Sequence, residues 1–359
     1  MKVAILCPYS YPSACGVWNR VYNISKELIK RDYDVHVFSS NIVNGTNKKS
    51  SSYEAYEEIK IHRFPVRFKF GNALYFNFKK KLLKLKPDII HMHVYRHPHS
   101  TLAPKLAKKL KAKCFLTTHA PFVDKKLRSL LLNLFVWFYD KFLGKKILNS
   151  YDKVIAISKW EIPYLRKLGC RKDKIIHIYN GIPKELLKIP IINRKPKTVL
   201  YLGRISPIKN LELILRIADK FKDLNFKIVG PIEKGYNFKT NLKNVNIINK
   251  VYNFKDEINY LKNSDIFILP SKREAIPTVL LEAMGAGKLV ISSYTKGGKE
   301  LINKDRGFLF ENEDSLIKKL NYVIKNYKKL IKIRKNARKF AENLSWDKIA
   351  NKTIKVYSC

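Results

Sequence analysis

Two short segments carry the side chains that could do chemistry. The first is Ile266–Ser293, IFILPSKREAIPTVLLEAMGAGKLVISS. An apolar strand ends at Pro270, a loop presents Glu274, and a helix begins near Pro277, since proline at a first helical position is a start signal. The backbone N–H groups around Thr278 and Val279 would have no partner within that helix, which makes an anion site. Glu282 follows Glu274 by eight residues, inside the helix. A carboxylate beside an anion site can accept hydrogen bonds from sugar or ribose hydroxyls. The alternative is structural: Glu274 caps the turn and Glu282 faces solvent. The second segment is LGRISPIKN, Leu202 to Asn210. Arg204 and Lys209 stand five residues apart across a turn containing Pro207. An arginine fork and a lysine point charge could hold a diphosphate together. Against this, they are two of 72 basic residues. Their place directly after a strand sets them apart.

Such segments need a frame, and the chain supplies one. Short β-branched runs alternate with helical patterns: Lys2–Leu6, Val35–Phe38, Ile59–Phe64, Asp88–His93, Cys114–Thr118, Val154–Ile157 and Ile175–Tyr179. Between Pro183 and Pro196 the text turns proline-rich and loses its helical period, as an interdomain linker would. The rhythm then restarts with Thr198–Leu202, Phe226–Val229, Val245–Ile248, Ile266–Leu269, Leu289–Ser292 and Phe308–Phe310. Strands alternating with helices predict parallel sheets covered on both faces. The expected fold is therefore α/β, with two Rossmann-like, doubly wound domains. The expected boundaries are 1–183, a linker at 184–196, 197–340, and a closing helical segment at 341–359. Ligands of such folds sit outside the carboxyl ends of the strands, and a cleft between two domains is the natural site.

Composition bounds the partners. A length of 359 residues suits two domains. Lys and Arg number 72 against 29 Asp and Glu, a net charge of +43, so an acidic partner is expected: a phosphorylated substrate, an anionic membrane face or nucleic acid. The lysines are spread along the whole chain, with no RNP-like aromatic motif, helix-turn-helix signal or Arg-rich segment, which weighs against nucleic acid. Five widely spaced cysteines with no Cys-x-x-Cys suit a reducing compartment. The amino-terminal MKVAILCPYSYPSACG reads as a buried strand and loop rather than a signal peptide. The longest apolar run, Leu130 to Tyr139, is interrupted by Asn133 and falls short of the roughly 18 residues a membrane span needs. The expected location is cytoplasmic, either soluble or peripheral at the inner membrane face.

The motifs taken together resemble the GT-B glycosyltransferases of family 4, also called glycosyltransferase group 1. That family's second half carries a Gly-Arg-x4-Lys turn, then Ser-x-x-Glu-x7-Glu followed by Ala-Met-Ala-x-Gly. Here these stand as Gly203-Arg204 and Lys209, then Ser271, Glu274, Glu282, Met284 and Gly287. CPYSYPSACGVWNRVYNISKEL resembles the family's first strand, Gly-rich loop and helix, and PDIIHMH, FLTTHAP, VIAIS and YNGI follow in the family's order. LSWDKIANKTIKVY resembles its closing helix, which packs back onto the first domain. The resemblance implies a retaining, metal-independent transferase of the hexosyltransferase type, with no cofactor and a UDP- or GDP-sugar donor. It implies that Arg204 and Lys209 bind the donor diphosphate, with Gly16, Thr278 and Val279 at the donor. Glu282 would take the ribose hydroxyls. Glu274 and His119 would be the catalytic pair at the donor sugar. Two positions depart from the pattern: Cys15-Gly16 replaces Gly-Gly, and Glu274-Ala-Ile-Pro277 replaces Glu-Gly-Phe-Gly, so one ligand-facing N–H is missing at Pro277.

Other readings remain beside this one. A basic nucleic-acid-binding protein and a catalytically inactive GT-B-like protein are the alternatives. His91, His93, His97 and His99 form two His-x-His pairs that could bind zinc, line an acceptor cleft or pack at a strand end. The stretch Lys125–Lys146 is apolar and aromatic with basic ends. It reads as a core helix of the first domain, or as a helix lying on an anionic membrane; an exposed Trp137 would favour the latter. The first half also carries Arg20, Arg63, Arg67, Lys69, Lys79, Lys80, Lys81 and Arg96, interleaved with Tyr11, Trp18, Phe64, Phe68, Phe70, Tyr75 and Phe76. These predict a cationic, aromatic wall for a glycan or lipid-linked acceptor at an anionic membrane surface, with no nucleic acid as partner.

Overall fold

The computed structural model describes residues 1–13, 15–46, 48–70, 73–122, 128–251 and 253–358, with the Phe70 side chain outside that description. The chain divides into two compact units: Met1–Asn180 together with the helix that begins at Trp346, and Gly181–Ser345. Each is built on a sheet whose strands are continuous apolar runs. KVAIL, IIHMH and IFIL are buried along almost their whole length. Unbroken apolar strands of this kind mark parallel sheets covered on both faces.

In the first unit the strand order is Ile175–His177, Lys153–Ala156, Lys113–Thr117, Ile89–His93, Lys2–Leu6, Asp34–Ser40, Ile59–Phe64 and Tyr53–Tyr56. All neighbours are parallel except the last pair. The order reverses beside Lys2–Leu6, so the loops after Leu6, His93 and Thr117 emerge at one end. A separate hairpin pairs Val66–Phe70 with Ala73–Phe76. Phe76 and Phe78 enter the same core as Met92, Leu116 and Val154.

The helix Trp346–Ser358 closes this unit. Tyr357 Oη meets His91 Nδ1 at 2.6 Å, and Arg31 Nη2 donates to Asn351 Oδ1 at 2.9 Å. The second unit is a six-stranded sheet in the order Val245–Ile248, Asn225–Val229, Thr198–Leu202, Ile266–Leu269, Leu289–Ser293 and Phe308–Phe310. Every neighbouring pair is parallel. Residues 184–196 pack within this second unit. Leu186 is buried, Arg338 Nη2 donates to Ile189 O, and Arg334 Nη1 donates to Ile192 O at 3.0 Å.

One expectation fails here. The stretch 128–146 is not a core helix of the first unit: the helix Leu130–Phe138 buries none of its residues, and Trp137 is 46% exposed. Residues 125–127, at the start of that stretch, lie outside the described residues.

Candidate active site

In the second unit, the predicted donor residues gather at the carboxyl ends of adjacent strands. Thr198–Leu202 leads into Gly203, Arg204 and the short helical turn Pro207–Lys209. Ile266–Leu269 leads into the loop carrying Glu274 and the helix Thr278–Gly285. The two strands are hydrogen-bonded neighbours, so their loops meet: Lys272 N donates to Ile208 O at 2.9 Å. Lys209 Nζ then sits 2.7 Å from Glu274 Oε1, with both side chains mostly shielded. Asn210 holds the turn, in the left-handed region at φ 54°, with its Nδ2 donating to Pro270 O at 3.3 Å.

The Arg204 turn depends on a close backbone approach. A Cβ on Gly230 would lie 1.9 Å from Gly203 O, and Gly230 has φ +148°. Only glycine fits such a contact. Arg204 itself is 63% exposed and lies 3.4 Å from Glu233 Oε2. It is a hydrated side chain held loosely, where Lys209 is a shielded one held firmly.

The helix Thr278–Gly285 starts after Pro277 with no side-chain cap. The N–H groups of Thr278 and Val279 therefore have no partner from a capping side chain. Glu282, expected on this helix either as a ribose partner or as a solvated residue, is buried. Burial holds its carboxyl well above the usual range, and the neighbouring carboxyl of Glu257 adds to that. Glu257 belongs to the helix Phe254–Lys262, and its own carboxyl is pushed up to about 7 by burial. The two carboxyls act on each other, so they titrate together, and burial favours their protonated forms.

This gives a pH prediction. Folded Glu257 retains a proton that the unfolded chain releases above the ordinary value of 4.5. The resulting stabilisation is complete below that pH and is lost as pH rises through about 7. Urea midpoints should therefore show a downward contribution between about pH 5 and about pH 8 that Glu257→Gln removes. Identical pH profiles for both proteins would show that Glu257 does not hold a proton in this window.

In the first unit, His119 follows the strand Lys113–Thr117. Its Nε2 meets His93 Nδ1 at 2.8 Å. Burial, with Arg20 and His91 nearby, holds the His119 ring well below the ordinary imidazole value, so it is neutral at pH 7. His119 and Ala120 both adopt positive φ, 58° and 49°. A residue that sequence reading missed pins this turn. Glu161 Oε2 accepts from Thr118 Oγ1 at 2.5 Å and Ala120 N at 2.9 Å, while its Oε1 accepts from Ser158 N at 2.9 Å and Ser158 Oγ at 2.8 Å. The signal was present as Ser-x-x-Glu at 158–161, a spacing that lets the carboxylate reach back to the serine. Gly16 opens the helix Gly16–Ile29, with nothing within 4 Å of where its Cβ would stand. Cys15 caps that helix through Sγ, which accepts from Trp18 N.

The histidine pairs have other partners. His91 meets Tyr357 Oη and Thr117 Oγ1, His97 Nε2 accepts from Leu74 N, and His99 Nε2 meets Phe76 O. Among the described residues, no group of three or more His, Cys, Asp or Glu is arranged to hold a metal ion. The sequence contains one Asp-x-Asp, Asp32–Asp34. It stands at the amino end of its strand, where Asp34 is bound by Lys60 at 2.8 Å, opposite the carboxyl ends that carry the site residues.

The predicted cationic wall is also reduced. Arg20, Arg63 and Arg96 turn inward: onto Tyr179 O and Asn180 Oδ1, onto Glu54, and onto Asp140. Trp18 and Phe76 are buried. Arg67, Lys69, Lys79, Lys80 and Lys81 stay exposed.

Comparison with known proteins agrees with this geometry. Residues 184–340 match the glycosyl transferases group 1 family, and residues 14–186 match glycosyltransferase family 4. An uncharacterized glycosyltransferase of Methanocaldococcus jannaschii is 27% identical, over 99% of this chain and 98% of that protein. The Escherichia coli UDP-Gal:alpha-D-GlcNAc-diphosphoundecaprenol alpha-1,3-galactosyltransferase is 30% identical over 66% of this chain and 65% of its own. An Anabaena protein solved in complex with UDP and glucose superposes with a TM-score of 0.74 at 18% identity, covering 100% of this chain and 99% of that one. Two matches that together run from residue 14 to residue 340, on two parallel α/β units with the motifs at their strand ends, place the chain among the group 1, family 4 glycosyltransferases of GT-B fold.

Proposed function

We propose that the protein is a retaining glycosyltransferase that moves a hexosyl group from a UDP- or GDP-sugar to a lipid-linked or cell-surface glycan acceptor, without a metal or cofactor. The observation that carries this reading is the Lys209–Glu274 contact of 2.7 Å, formed beside an uncapped helix start. A departing nucleoside diphosphate accumulates negative charge. Lys209, Arg204 and the N–H groups of Thr278 and Val279 are the groups that would meet it. Glu274 would lie where diphosphate gives way to sugar, since it already touches the diphosphate lysine. Glu282 would accept from the ribose hydroxyls. Burial favours its protonated form, and a carboxyl can both donate and accept, which suits a diol. On the first unit, Gly16 leaves its helix start open to a ligand, and neutral His119 offers one ring nitrogen to the sugar while His93 holds the other. The acceptor reading draws support from the diphosphoundecaprenol acceptor in the E. coli relative's name, and the donor reading from the UDP in the Anabaena structure.

Incubation with a panel of UDP- and GDP-sugars tests the reading. One sugar nucleotide should be hydrolysed slowly without acceptor, and transfer should keep the anomeric configuration of the donor. No turnover of any member, or an inverted product, would contradict it.

A further inference from the structure

One helix of the first unit is built against the rule that apolar residues go inside. Leu130–Phe138, LLLNLFVWF, buries nothing. Leu130 is 86% exposed, Leu131 69%, Leu134 52%, Trp137 46%, Phe138 47% and, one turn on, Phe142 62%. An apolar patch this continuous marks an interaction surface. The segment is not a loose tail that lacks a place to pack. Its carboxyl-terminal end is clamped to the unit: Arg96 binds Asp140 through Nε at 2.9 Å and Nη2 at 2.5 Å, Tyr95 Oη donates to Asp140 at 3.2 Å, and Tyr139 Oη meets Ser100 Oγ at 3.0 Å. The unit holds an apolar helix outward.

The charge on this segment points to the occupant. From Arg128 to Lys146 the only acidic residue is Asp140, and Arg96 neutralises it. Lys141, Lys145 and Lys146 are exposed beside the apolar residues. Lys141 Nζ stands 4.6 Å from the Trp137 ring, so cation and indole present together. Apolar and aromatic side chains rimmed by lysines match the boundary of an anionic bilayer, where the chains enter the acyl region and the ammonium groups stay at the phosphates. Helical backbone continues through the π-turn Tyr139–Gly144 to Asn149, but Asp140, Lys141, Lys145 and Lys146 end its apolar run, so the segment would lie in the interface. Among the described residues, no helix is long and apolar enough to cross.

We infer that the helix Leu130–Phe138, with Phe142 and the adjacent lysines, docks the first unit on an anionic lipid surface. This deepens the reading of a lipid-linked acceptor and rests on it for its purpose, but the contact itself is independent of turnover. The test is sedimentation with phosphatidylcholine vesicles, with and without phosphatidylglycerol, using wild type and the double variant Leu131→Glu with Phe138→Glu. Both positions are exposed, so circular dichroism should show an unchanged fold. Wild type should bind vesicles containing phosphatidylglycerol at least tenfold better than neutral ones at low salt, and lose that binding as salt rises. The double variant should bind at least tenfold less while hydrolysing sugar nucleotides in solution at the wild-type rate. Vesicle binding without hydrolysis of any sugar nucleotide would support the docking surface and overturn the proposed function. Hydrolysis with wild type left in the supernatant would overturn the docking surface alone. A dimer that the double variant dissociates, with no vesicle binding by either protein, would assign the patch to a second copy of the chain and overturn the inference.

Discussion

Replacing His119 by alanine, or Glu274 by glutamine, should lower turnover by about two to three orders of magnitude and change donor affinity by less than about threefold. The asymmetry follows from where these groups sit. His119 is held by three constraints: the His93 hydrogen bond at 2.8 Å, a left-handed backbone, and a following residue, Ala120, whose N–H is fixed by Glu161. A neutral ring so placed costs no reorganisation when charge develops at the sugar, and preorganised groups act mainly on the transition state. Glu274→Gln keeps the shape but loses the negative charge that faces Lys209. The alanine variant also removes a residue type that tolerates positive φ, so His119→Asn serves as its control. The measurement is steady-state kinetics with the hydrolysed sugar nucleotide, beside donor titration. A fall in affinity with unchanged turnover would reassign both residues to ground-state binding.

Much of the fold was legible in the sequence, because parallel strands buried on both faces leave unbroken apolar runs. Thr198–Leu202, Val245–Ile248, Ile266–Leu269 and Phe308–Phe310 stand at their predicted bounds. The hairpin Val66–Phe70 with Ala73–Phe76 was missed although VRFKF alternates apolar and basic residues, because that alternation was read as a cationic, aromatic wall and not as a strand. The helix Leu130–Phe138 misled for a sharper reason. Periodicity and composition say that a segment is apolar, and they do not say whether a partner covers it. For the proposed site, the sequence placed Arg204, Lys209 and Glu274 in loops after strands, and they stand there. Glu257 lay hidden in FKDEINYLK, a string that reads as a solvated helix face. Its pairing with Glu282 comes from two helices meeting in space, which no local pattern encodes. The inward turn of Arg20, Arg63 and Arg96 was hidden likewise, because net charge does not tell a structural arginine from a free one.

The proposed diphosphate site is tested most directly by calorimetric titration of nucleoside diphosphates into wild type, Lys209→Ala and Arg204→Ala. A lost charge-assisted bond to phosphate costs about 1–3 kcal/mol, or roughly five- to 150-fold in Kd. The two residues should divide that range. Lys209 is 21% exposed and anchored on Glu274, so its charge acts with little competition from water. Arg204 is 63% exposed, so water screens much of its charge. Lys209→Ala should therefore weaken binding by about fiftyfold or more, and Arg204→Ala by about tenfold or less. Nucleoside monophosphates should bind more weakly to wild type and lose less in the lysine variant. If both variants bind the diphosphate as wild type does, the phosphates lie elsewhere and the assignment of this strand-end site to the donor is wrong.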